Sequence, residues 1–332
     1  MAQRRSLWRR LKRATRGPRH ALLAAGITAV GWLLGRLPIG IAVAIARTLG
    51  RAAFLLLGTP RRFAVVHVGM AFPELSPAAH RQLVRATFAH AATAFAELAL
   101  WPRLRMRPDY VRVEGAGALD DALARGQGAL AIAGHAGQWE LLAATIAAHG
   151  YPLTVIARRV NGPQFDELVN EFRRRAGVEV LLRDDPQFAR AVGEALRRNR
   201  VVAILIDQDT EGAGIFVPFF GRLAHTQAGA AVLALRNRVP VVTAFIERRP
   251  AGGHLIRLAA VPVTETRNRS GVEALTARLT HALEMQIRRA PAEWVWWHER
   301  WRRRPPDERA PRAGIRTATT LRRQGRAPTP IE

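Results

Sequence analysis

His135 and Glu140 are the residues of this chain whose types and spacing suggest chemistry. An imidazole with one nitrogen held by a carboxylate keeps the other nitrogen as a base. The two stand five apart, so in one continuous helix they would diverge by ~140°. They meet only if His135 precedes a helix whose first turn carries Glu140. The stretch reads Ala129-Leu130-Ala131-Ile132-Ala133-Gly134-His135-Ala136-Gly137-Gln138-Trp139-Glu140. The apolar run Gly128 to Ala133 predicts a buried strand. Glu140 to His149 predicts a helix stopped by Gly150. Gly134 and Gly137 allow the backbone turns between them. His135 then sits at a strand end, where open α/β sheets place their chemistry. A purely structural reading competes, in which Gly137 caps the helix, Glu140 complements its dipole and His135 is a polar loop residue.

The elements that must position this loop are read from periodicity. Residues 59–105 predict helix, with Ser76-Pro77 opening one and Val84, Thr87, Phe88, Ala91, Phe95, Leu98 and Ala99 on its apolar face. His80, His90 and Glu97 on that helix read as surface residues, Glu97 solvated or paired. From residue 110 the pattern alternates. Helices are expected at 117–125, 164–175, 186–198, 226–237 (starting with Thr226) and 271–289. Strands are expected before His135 and at 152–157, 178–182, 201–206, 239–247 and 254–263. Ser270-Gly271-Val272-Glu273 reads as a capping box. The alternation implies an α/β fold, a central, mainly parallel mixed sheet flanked by helices.

The chain has 332 residues, a net charge of +25 and no cysteine, so it holds neither disulfides nor thiolate zinc sites. Residues 1–20 carry +8 and residues 300–332 carry +7, leaving +10 for 21–299. Basic tails could suit nucleic acid, but no aromatic-basic interleaving or recognition helix lies between them, and no nucleic-acid partner is expected. Anionic lipid fits better, because the N-terminal charges abut an apolar stretch, 21–35 and then Ile39 to Ala46. That stretch reads as a membrane anchor, a cleaved signal peptide ending at Ala42-Val43-Ala44, or a core helix. The expected organisation is a basic N-terminus and anchor over 1–58, a catalytic domain over 59–304 and a disordered basic tail over 305–332.

Gly-His-x-Gly-x-Trp-Glu resembles the H-x-x-x-x-D/E motif of the late lauroyl and myristoyl acyltransferases of bacterial lipid A biosynthesis, with Gln138 where Asn is usual. Three further stretches resemble that family: Ala71-Phe72-Pro73-Glu74-Leu75; Asp207-Gln208-Asp209 with Val217-Pro218-Phe219-Phe220-Gly221-Arg222; and Pro291-Ala292-Glu293-Trp294-Val295-Trp296-Trp297-His298. Four motifs in order span residues 60–304.

The resemblance implies a glycerolipid acyltransferase-like fold and O-acyl transfer from acyl carrier protein, as co-substrate, to a lipid A precursor or another glycolipid such as a phosphatidylinositol mannoside. It implies the cytoplasmic face of the bacterial inner membrane and no cofactor. His135 is then the base and Glu140 its orienter. With no cysteine and no G-x-S-x-G pattern, transfer is expected to be direct. Backbone N–H groups at the start of the 138–149 helix are candidates for the oxyanion site. The resemblance also implies a substrate-contacting Arg158, ahead of Pro163 and Asp166, and a role for Arg173. Arg159 stands where the family usually has Pro. Asp207 and Gln208, at a strand end, are expected to meet the substrate, Asp207 through an Arg or a sugar hydroxyl. No metal is expected. Trp294, Trp296, Trp297 and Trp301 read as core or as interfacial anchors.

Overall fold

The computed structural model describes residues 26, 29–107, 109–158, 163–209, 212 and 214–305. The basic stretch 1–20, Arg159 and all but the first residue of the 305–332 tail lie outside the described residues.

Helix α1, Ile39–Leu56, is followed by α2, Gly58–Ala71, and by α3, Pro77–Leu104. Ser76 caps α3, its hydroxyl accepting the Ala79 N–H at 3.2 Å. Strand β1 is Val111–Glu114 and α4 is Gly117–Leu123. Then come β2, Ala129–Ala133; α5, Trp139–Ala148; β3, Leu153–Ala157; α6, Pro163–Arg175; β4, Glu179–Leu182; α7, Phe188–Arg197; and β5, Val201–Leu205. A hairpin, β6 Ile215–Phe219 and β7 Arg222–Thr226, precedes α8, Gly229–Asn237. The chain closes with β8, Val241–Arg248; β9, His254–Val261; and α9, Arg269–Arg289.

Seven strands form one sheet in the order β1-β9-β8-β2-β5-β3-β4. Only the β8–β9 pair is antiparallel, so the sheet is mainly parallel and mixed, as the alternation implied. Strand β2 is central and buried along its whole length. Its side chains alternate between faces. Leu130 and Ile132 join the core with α2, α7, α8, α9 and the tryptophans, while Ala129, Ala131 and Ala133 meet α4 and α5. Parallel strands place their carboxyl ends on one edge, so β2, β5, β3 and β4 deliver His135, Asp207, Arg158 and Arg183 to the same side of the sheet.

Three local expectations are corrected, and the hairpin over Ile215–Thr226 adds a pair of strands that the periodicity did not assign. Thr226 ends β7 and does not start a helix, because Arg300 claims its hydroxyl at 2.6 Å. The cap of α9 is Asn268, whose side chain accepts the Gly271 N–H at 2.9 Å, and not Ser270. Phe95, expected on the buried face of α3, is 49% exposed; the stripe passes instead through Thr93, Ala94, Glu97, Leu100, Trp101 and Leu104.

Helix α1 packs on α3 through Ala42, Ala46, Gly50 and Phe54. A Cβ on Gly50 would stand 2.5 Å from the Phe88 carbonyl, so the two backbones cross closely. The outer stripe, Ile41, Ile45, Leu49, Leu55 and Leu56, is exposed. At ~27 Å, with a mean hydropathy of 1.7, α1 is long and apolar enough to cross a membrane.

Candidate active site

The turn after β2 is built by glycine. Gly137 has φ +68°, and a Cβ there would stand 2.0 Å from the Ile246 carbonyl on β8. The Gly137 N–H donates to the Glu293 carbonyl at 3.0 Å, and Ala136 pairs with Trp294 in a β-bridge. The loop is therefore pinned between β8 and the segment that follows α9.

Asp207 follows β5, the neighbour of β2, and its carboxylate meets His135. Oδ1 lies 2.8 Å from His135 Nδ1, while Oδ2 accepts the His135 backbone N–H and the Trp294 indole N–H, each at 2.8 Å. Burial opposes the charge on Asp207, yet its pKa falls below the ordinary range, because His135 and the Trp294 N–H favour the carboxylate. With Nδ1–H donating to Asp207, His135 keeps Nε2 as an acceptor, the arrangement a general base needs.

The expected His135–Glu140 contact is not formed. Trp139 opens α5 with its ring 5.1 Å from that of His135, and Glu140, ~100° further round the helix, turns away. Its carboxylate is held by Arg173 on α6, Nε to Oε2 at 2.9 Å and Nη2 to Oε1 at 2.6 Å. Asp207 thus takes the orienting position, and binds His135 in place of the Arg or sugar hydroxyl expected of it. The Glu140–Arg173 pair borders an apolar cavity of about 60 Å³ lined by Ala131, Ala133, Ala143 and Ala203. Arg158 is exposed at the end of β3. Gln208 lies beside His135. At the start of α5, Gln138 is buried, its Oε1 accepting the Glu140 N–H at 3.3 Å and its amide nitrogen donating to the Ala94 carbonyl.

Behind the loop lies a cluster that the periodicity missed. Glu97 is fully buried, not a surface acid. It accepts Arg248 Nη1 at 2.6 Å and Nη2 at 2.9 Å, the Tyr110 hydroxyl at 2.8 Å, and lies 3.0 Å from His254 Nε2. His90 is half-buried and stands 3.3 Å from the Gly137 carbonyl, and burial lowers its pKa to about 4. An acid on the buried stripe of α3 was the available signal.

Glu293 accepts the Arg248 backbone N–H with both oxygens, at 3.1 and 3.2 Å, and burial raises its pKa from 4.5 to about 7. Below pH 4.5 the carboxyl is protonated in folded and unfolded chains alike. Between 4.5 and 7 only the unfolded chain ionises, so this group removes stability as pH rises through that window. Glu293→Gln is expected to be more stable than wild type at pH 8, by on the order of 2 kcal/mol, and equal to it near pH 4.5. Urea melts at the two pH values check this, and an equal offset at both would contradict it.

The profile of the family described as bacterial lipid A biosynthesis acyltransferase matches residues 10–303. The chain is 28% identical to the lipid A biosynthesis lauroyltransferase of Escherichia coli K12, over 87% of this chain and 94% of that protein. It is 24% identical to the lipid A biosynthesis myristoyltransferase of the same strain, over 80% and 83%. It is 27% identical to the phosphatidylinositol mannoside acyltransferase of Mycolicibacterium smegmatis, over 70% and 76%. With a sheet, loop and charged pair laid out as described and a match that runs nearly end to end, the chain belongs to the bacterial lipid A biosynthesis acyltransferase family and is an acyltransferase.

Proposed function

We propose that this protein moves a fatty acyl chain from an acyl carrier protein thioester to a hydroxyl of a lipid A precursor. The observation that carries the mechanism is the 2.8 Å His135–Asp207 pair at the carboxyl edge of the sheet. The acceptor oxygen attacks the thioester carbonyl carbon while its proton passes to His135 Nε2. The carbonyl electron pair moves onto oxygen, then returns as the carbon–sulfur bond breaks. The leaving thiolate takes the proton from His135 and departs as the thiol. Asp207 holds the imidazole in the right tautomer and offsets its transient charge. The exposed Arg158 supplies a cation suited to phosphate groups of donor or acceptor, whereas the Arg173 charge is matched by Glu140.

The exposed apolar stripe of α1 supports membrane attachment, and the donor's cytosolic origin favours the cytoplasmic face of the inner membrane. The net charge of +10 over 21–299 suits an acidic carrier protein. A phosphatidylinositol mannoside acceptor is the second reading, favoured by the mycobacterial relative at 27% identity.

Mass spectrometry of lipid A from a strain deleted for this protein tests the acceptor. Loss of one acyl chain, restored by wild type and not by an equally abundant His135→Ala, is expected. Unchanged lipid A in the deletion strain would move the assignment to the second acceptor, and restoration by His135→Ala would end the base role.

A further inference from the structure

The side-chain amide of Gln208 is wedged between two imidazoles. Its Nε2 stands 3.3 Å from Nδ1 and 3.2 Å from Nε2 of His135. Near-equal distances to both ring nitrogens place the amide over the ring face, so the in-plane lone pair of His135 Nε2 stays open to an acceptor hydroxyl. The same amide nitrogen lies 3.5 Å from Nε2 of His298, whose ring centroid is 5.6 Å from that of His135. Burial, reinforced by His135, lowers the His298 pKa to about 4, so His298 is a neutral imidazole at physiological pH. A neutral ring nitrogen accepts one amide N–H and leaves the second N–H of the –NH₂ group for a ligand.

We propose that Gln208 is the oxyanion donor of the acyl transfer and that His298 is a positioning residue that aims it. This rests on His135 being the base. A hydroxyl bound at His135 Nε2 brings the attacked carbon to within ~3 Å of its own oxygen. The charge that develops on the thioester oxygen then appears beside the amide over the imidazole face. A fixed donor at that point stabilises the intermediate more than the ground state.

The start of α5, the alternative expected from the sequence, is less suited, because Gln138 already occupies the Glu140 N–H there. The residues flanking Gln208 and His298 are held by hydrogen bonds. Gln208 follows Asp207, which Trp294 fixes, and His298 sits between Trp294 and Arg300. Arg300 is 1% exposed and donates to the His225 carbonyl and to the Thr226 hydroxyl, each at 2.6 Å.

Steady-state kinetics of the purified full-length protein, with an acyl carrier protein thioester and a lipid A precursor in detergent, test the assignment. Gln208→Met keeps the shape and removes the donor. It should lower kcat roughly 10²–10³-fold and leave KM for the acceptor within a few-fold. Gln208→Glu should be at least as slow, since a carboxylate cannot donate and repels an oxyanion. His298→Leu should lower kcat by about 10–100-fold, as loss of an orienting partner does. The double variant His298→Leu/Gln208→Met should be no slower than Gln208→Met, because one residue acts through the other.

Wild-type rates in Gln208→Glu, a rise in KM at constant kcat, or additive losses would each overturn the proposal. Melting temperatures within a few degrees of wild type identify the variants that qualify, and Gln208→Asn, a donor set back by one methylene, replaces any that do not fold. It should retain intermediate kcat, and a KM-only defect there would overturn the proposal too. If His135→Ala is inactive while Gln208→Met is near normal, the oxyanion role alone fails. If His135→Ala turns over normally, the base reading fails with it.

Discussion

Asp207→Asn is expected to lower kcat by roughly 10²–10⁴-fold with little change in fold. The reason is the geometry of the three donors on this carboxylate. Oδ2 accepts two N–H groups, from the His135 backbone and the Trp294 indole, and the Asn amide oxygen must take that place. The –NH₂ group then faces His135 Nδ1, where Oδ1 stood at 2.8 Å. Two donors cannot face each other, so the imidazole must accept at Nδ1 and carry its proton at Nε2. The base is then protonated at the one nitrogen that has to take a proton. Turnover above a third of wild type in a folded Asp207→Asn would mean that His135 does not depend on this tautomer. His135→Ala should be at least as slow, and the double variant no slower than His135→Ala.

The largest effect on stability is expected at Glu97. Its carboxylate is fully buried and meets a guanidinium, a phenol and an imidazole. Burial opposes its charge, yet His254 and Arg248 bring its pKa below the ordinary value. Glu97→Ala strands the Arg248 guanidinium, and removing one partner of a buried pair costs about 3–5 kcal/mol. For a chain of this size that lowers the melting temperature by roughly 4–7 °C. Replacing both partners, Glu97→Leu with Arg248→Met, should recover much of the loss. Since the folded carboxyl has the lower pKa, its contribution is present above about pH 4.5 and fades as pH falls. The gap between wild type and Glu97→Ala should narrow accordingly in acid. A loss below 1 kcal/mol at pH 7, measured by urea unfolding, would show that the cluster is already open to water.

The loop carrying His135 was legible because its signals are local: an apolar run, glycines on both sides and a helical pattern behind them. The partner of His135 was not. Asp207 is 72 residues away and reaches it only because β5 is inserted beside β2, a crossover that no local pattern encodes. Glu140 was the nearest acid in sequence, and nearness along the chain stood in for nearness in space. The hairpin Ile215–Thr226 was not assigned, because Pro218 inside its first strand argues locally against a strand. Glu97 was misread because its helix was given an apolar face running through Phe95. The tryptophans were read as core, and Trp294 is core, but its one polar atom is spent on Asp207.

That last segment has a consequence for when the protein can act. Residues 291–302 supply the β-bridge to Ala136, the carbonyl for Gly137, the indole on Asp207, the imidazole beside Gln208 and a guanidinium on Asp209. Everything they touch in the catalytic region is synthesised far earlier, His135 more than 150 residues before Trp294. Chains fold from the N-terminus as they emerge, so the helices and the central strands can be in place while the imidazole still lacks its final alignment. The proposed catalytic centre is thus completed late, and a chain cut short before this segment is expected to carry the motif without the aligned His135. Activity in this protein would therefore require synthesis to have passed residue 302.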